Sequence, residues 1–129
     1  MENELNNSVS VTGSYNSIPT SVTSNASIVT MIDGLSVIKS ADKQVWADGE
    51  LTYTIVLKND TDKTYETPVI TDILDGTLIN FVNDSVVIDG VKAETSKYNY
   101  NEDTNTLTIN LDDIASSSST TIEFKVTKK

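Results

Sequence analysis

Glu50-Leu51-Thr52-Tyr53-Thr54-Ile55-Val56-Leu57-Lys58-Asn59 is the stretch on which the fold turns. Leu51, Tyr53, Ile55 and Leu57 recur at every second residue, the period of a strand that buries one face. Asn59 falls in the same row. Two other segments repeat the arrangement: Leu35, Val37 and Lys39 in one, and Ile70, Asp72 and Leu74 in the other. Each row therefore carries one ionisable or amide side chain into an apolar interior. An unpaired buried ammonium or carboxylate is costly or neutralises by a pKa shift. Lys39, Asn59 and Asp72 are thus expected to compensate one another. They would do so as a hydrogen-bonded cluster or as a covalent Lys39–Asn59 amide promoted by Asp72.

Further short strands flank this core, broken by turn-forming residues. The pattern predicts strands near 35–39, 44–46, 50–59, 67–74, 78–82, 85–89, 97–100, 106–111 and 120–127. The breaks fall at Asp48-Gly49, Asn59 to Asp62, Asp75-Gly76, Asp89-Gly90, Asn101 to Asn105 and Ala115 to Ser119. No segment has a helical period. Alternation at Leu107, Ile109 and Leu111 and at Ile122, Phe124 and Val126 points to an all-β, antiparallel sandwich.

Residues 1–34 differ in composition and are read as an N-terminal arm, with 35–129 as the sandwich domain. From Asn6 to Ser27 the arm is nearly all Ser, Thr and Asn, interrupted by Val9, Val11, Tyr15, Ile18 and Val22. Such polar tracts often bury too little surface to offset the entropy of ordering. Here, however, β-branched residues recur at strand spacing and culminate in Ile28-Val29-Thr30-Met31-Ile32. Fully extended, the arm reaches about 110 Å. It is therefore a candidate donor strand for a neighbouring subunit, with Val9, Val11, Val22, Ile28, Val29, Met31 and Ile32 as the expected interface residues.

Composition excludes several activities. The chain has 129 residues and a net charge of −10, and all its basic residues are lysines. Nucleic acid and anionic membrane are poor partners for such a surface. With no cysteine or histidine, thiolate, imidazole and soft-metal chemistry is lost. Met1 is followed by Glu2, Asn3 and Glu4, the reverse of a positively charged signal-peptide start, and no apolar run is long enough for an h-region.

The segments Val37 to Asp42, Asp48 to Asn59, Val69 to Leu74 and Phe81 to Gly90, with the serine-rich turn Ala115 to Ser119 and the closing Thr121 to Val126, resemble a bacterial surface repeat. That repeat is the family called domain of unknown function eleven, and the resemblance covers about residues 35–127. It implies an immunoglobulin-like or transthyretin-like β-sandwich, found in cell-surface, spore-surface and appendage proteins. The chain departs from the family habit in holding a single copy, and Asp75 stands where a proline often follows the Asp-x-Leu motif. Lys39, Asn59 and Asp72 also resemble the lysine, asparagine and acid of self-catalysed isopeptide bonds in Gram-positive surface sandwiches. In that chemistry a neutral amine attacks an amide carbonyl and ammonia leaves.

Other constellations are weaker. Asn101, Asp103, Asn105 and Asp112 mimic part of a calcium loop, but Thr106 stands where glycine is required, and a hairpin turn accounts for them better. Asn59, Asp60 and Asp62 form a second weak cluster. No metal or cofactor is expected. Trp46, Tyr98 and Tyr100 suit a core cap better than a sugar platform. Asp72, Asp75, Asp112 and Asp113 are the carboxylates a glycosidase would need, without a cleft signature, so no enzymatic activity is expected.

The resulting expectation is a structural subunit, self-assembling head to tail into an extracellular or spore-associated fibre through its N-terminal strand. The alternative is a monomeric cell-surface adhesin with a disordered leader, whose loops contact a host or matrix ligand.

Overall fold

The computed structural model describes residues 8–24, 28–29 and 34–129. The decisive stretch forms β5 (Glu50–Asn59), with Leu51, Tyr53, Ile55, Leu57 and Asn59 all buried. On one side it pairs antiparallel with β4 (Leu35–Ala41). On the other it pairs along its length with β12 (Ser118–Lys128). In β12, Ile122, Phe124 and Val126 face inward and Glu123 and Lys125 outward, as their alternation requires. The far side of β12 carries β7 (Ile79–Phe81) and β8 (Val87–Ile88), and β9 (Val91–Lys92) folds back on β8.

The second sheet is built on β6 (Tyr65–Ile73). It is flanked on one side by β11 (Thr106–Asn110), with β10 (Tyr98–Asn101) beyond it. On its other side lies β1 (Ser8–Tyr15), followed by β2 (Ile18–Ser24) and the two-residue β3 (Ile28–Val29). The two antiparallel sheets face each other across one core in a sandwich-like arrangement. Its largest fully buried side chains include Tyr65, Phe124, Leu35, Ile55 and Leu57.

The described part of the 1–34 segment thus lies within the sandwich of its own chain. Val9 and Val11 are 1% and 0% exposed, in the same core as Ile70 and Leu107. β1 and β2 form a hairpin in which Tyr15 pairs with Ile18. Asn16 and Ser17 between them have φ of 50° and 63°, the signature of a tight two-residue turn with both central residues left-handed. Of the remaining expected interface residues, Val22 pairs with Val11 across this hairpin, and Ile28 and Val29 form β3. Met31 and Ile32 lie outside the described residues.

β6 contains an irregularity that strict alternation misses. Thr67 has φ of 41°, and its N–H is held by Asp113 Oδ1 at 2.7 Å. The register with β1 shifts at this point, between Thr12 and Ser14. The bulge resets the phase, so Tyr65 joins Pro68, Ile70 and Asp72 on the inner face. Gly13 passes Tyr65 so closely that a Cβ there would lie 2.5 Å from Cε2 of the ring. The expected strand at 44–46 does not form. Gln44 to Trp46 lie in a loop where Lys43 Nζ donates to the Glu50 carbonyl and Asp42 Oδ1 accepts from the Thr52 amide, so the chain turns there and exposes Val45.

Candidate functional site

β4 is an edge strand of one sheet and β6 a central strand of the other, so inward residues on the two meet across the core. Lys39 and Asp72 do so. Lys39 Nζ donates to Asp72 Oδ2 at 2.6 Å, with side chains 7% and 0% exposed. Asp72 is enclosed in its sheet by Val9 of β1 and Leu107 of β11, its cross-strand partners. The ammonium is roofed by aromatic rings, 4.3 Å from the Tyr53 centroid and 5.6 Å from that of Phe124. Burial pulls the Lys39 ammonium below the ordinary lysine range, while the charge of Asp72 and its hydrogen bond act in the opposite direction. The Tyr53 phenol is pushed up to about 12 by burial and then by the charge of Asp72.

Asn59 does not join them, which corrects the expected Lys39–Asn59 contact. The β4–β5 register sets Lys39 against Ile55 and Asn59 against Leu35. At roughly 3.3 Å per residue, Asn59 stands about 13 Å further along the strand. Its side chain is engaged elsewhere. Nδ2 donates to the carbonyls of Lys63, Ile114 and Ala115 at 2.7, 2.9 and 3.2 Å, and Oδ1 accepts from the Thr61 amide and hydroxyl at 3.1 and 2.6 Å. It ties the β5–β6 loop to the segment leading into β12. Parity alone placed both residues inward; the register between two strands, which parity does not encode, separated them.

The other candidates occupy turn and cap positions. Asn101 Oδ1 accepts from the amides of Asp103 and Thr104, Asn105 is left-handed with φ of 54°, and Asp112 pairs with Lys97 at 2.7 Å. Asn101 to Asn105 form the turn between β10 and β11 and Asp112 lies beyond β11, and among the described residues no group of carboxylates is arranged to hold a metal ion. Asp60 pairs loosely with Lys58 at 3.8 Å. Asp72, Asp75, Asp112 and Asp113 each serve a different partner: Lys39, Thr77, Lys97 and the Thr67 amide. Tyr98 and Tyr100 pack on Phe81, with centroids 6.4 and 4.8 Å apart, and close one end of the core; Trp46 packs against the core from the loop after β4. Beside Phe81 and Tyr100, the side chains of Asn80, Glu102, Asn105 and Lys129 line a shallow polar cleft. Among the described residues, no helix is long and apolar enough to cross a membrane.

No family model, curated protein or solved structure matches the chain.

Proposed function

We propose that the protein is a structural subunit that polymerises head to tail by supplying its N-terminal strand to a neighbouring copy. The assembly would form an extracellular or spore-associated fibre of immunoglobulin-like or transthyretin-like sandwiches, akin to the surface repeat described above. The observation that carries this reading is the placement of Val9 and Val11. A strand near the chain terminus delivers fully buried side chains to the core and covers the edge of β6. The same ladder can be made by the equivalent strand of another copy, because strand addition requires only an edge and matching pockets. Exchange of an identical element between protomers adds no new kind of contact.

A second reading, a monomeric surface adhesin, is favoured by one specific feature: β1 closes the sheet of its own chain, which leaves the edge of β6 covered without a partner. The test is negative-stain microscopy and size-exclusion chromatography of the full chain and of a form lacking residues 1–24. Threads from the full chain and their loss from the truncated form support strand exchange. A full chain that remains monomeric at high concentration supports the adhesin.

A further inference from the structure

Asp72 stands opposite Val9 in the β1–β6 ladder, and with Lys39 it forms the one ion pair with both side chains buried among the described residues. A buried pair of full charges loses much of its attraction to the cost of desolvation, and apolar replacements of similar volume are often no less stable. The geometry offers the pair another outcome. Nζ and Oδ2 are held 2.6 Å apart by two strands of opposite sheets, with the Tyr53 and Phe124 rings excluding water from the amine. Reacting groups fixed in this way behave as though present at effective concentrations on the order of 10⁵–10⁸ M.

We propose that Lys39 and Asp72 condense into an amide that joins the two sheets covalently. The ammonium first passes one proton along the existing hydrogen bond, which leaves an amine and a carboxylic acid. The Nζ lone pair then attacks Cγ of Asp72 and forms the C–N bond. One C–O bond breaks, and its oxygen departs as water, carrying the acid proton and one amine proton. Nothing is oxidised or reduced, and no co-reactant is needed. Two buried charges disappear in the process. Desolvation of Lys39 favours the nucleophilic amine, as it does for other activated lysines. The Tyr53 phenol, held protonated, adds no competing anion. The exposed margin of Lys39 marks the side from which water can leave.

The decisive experiment is intact-mass spectrometry of the denatured full-length chain, followed by proteolytic mapping. The proposal expects a chain lighter than its sequence by one water and a branched peptide linking the segments around Lys39 and Asp72. Lys39→Arg should have its full sequence mass. Asp72→Asn presents an amide carbonyl to the same amine and should lose one ammonia. A wild-type chain at its full sequence mass, with Lys39 and Asp72 recovered in separate linear peptides, overturns the proposal. A wild-type chain lighter by one ammonia overturns it too, since that loss comes from an asparagine. Because the wild-type result needs no variant, failure of either variant to fold leaves the test intact.

Discussion

Val11 lies opposite Ile70 in the antiparallel register of β1 and β6, and both side chains are fully buried. The pairing joins a residue from the polar N-terminal tract to the core strand β6, 59 positions further along the chain. It makes β1 a structural part of the sandwich. It also makes the edge of β6 dependent on whichever strand occupies it.

Val11→Asp places a carboxylate in a position with no exposure to water, where no basic side chain lies on the same strand. β1 should leave the sheet. Limited proteolysis should then cut within residues 8–24 of the variant and spare them in the wild type, and thread formation should be lost.

Gly13→Val sets a side chain against Tyr65 Cε2 and, at 2.9 Å, against the Glu66 carbonyl. The approach is backbone-limited on one side, so the site relaxes poorly. A loss of about 1–3 kcal/mol is expected from urea unfolding, in the usual range for overpacking.

Asn59→Ala removes an amide that satisfies carbonyls of three residues and anchors Thr61. The expected cost is about 2–3 kcal/mol, the penalty of buried groups left without partners. Asn59→Asp should be worse than Asn59→Ala, because a carboxylate turned toward those carbonyls cannot donate. Equal stability of the Asp variant and the wild type would remove Asn59 from this role.

Lys39→Met removes the ammonium that faces a fully buried carboxylate and should destabilise the fold by about 3–5 kcal/mol. The double variant Lys39→Met/Asp72→Leu leaves no charge at this site and should be more stable than Lys39→Met alone, as measured by denaturant unfolding.

Alkaline unfolding should report on Tyr53. Its folded pKa is raised from 10 to about 12, so between these values the native state holds a proton that the unfolded state has lost. The stabilisation is whole below pH 10 and is lost as pH rises toward 12. Tyr98 and Tyr100 are raised as well and act in the same direction. Tyr53→Phe should therefore flatten the decline above pH 10 without abolishing it. An unchanged slope in a stability–pH series would contradict the assignment.

Much of the fold was legible in periodicity, because one buried face leaves a two-residue rhythm. β5 runs over the residues read as its strand, and β11 and β12 bury the alternating residues singled out for them. The inward placement of Lys39, Asn59 and Asp72 was legible for the same reason. What was not legible was which strand faces which, and at what offset. That information set Lys39 against Asp72 and carried Asn59 away. The bulge at Thr67 was hidden as well: it depends on a backbone amide captured by Asp113, 46 residues away. The β1–β2 hairpin was obscured by its turn, since Asn16-Ser17 has no glycine to mark the left-handed positions it adopts.

The most direct measurement of strand exchange is a disulfide trap between β1 and β6, in a chain with no cysteine of its own. Ser10 and Thr71 are cross-strand partners on the half-exposed face, so Ser10→Cys and Thr71→Cys can be introduced in separate chains and together in one. After assembly and oxidation, strand exchange predicts a covalent dimer from the mixed single variants and a ladder of multimers from the double variant on non-reducing gels. A double variant that oxidises wholly to a cross-linked monomer, with no dimer in the mixture, would contradict it.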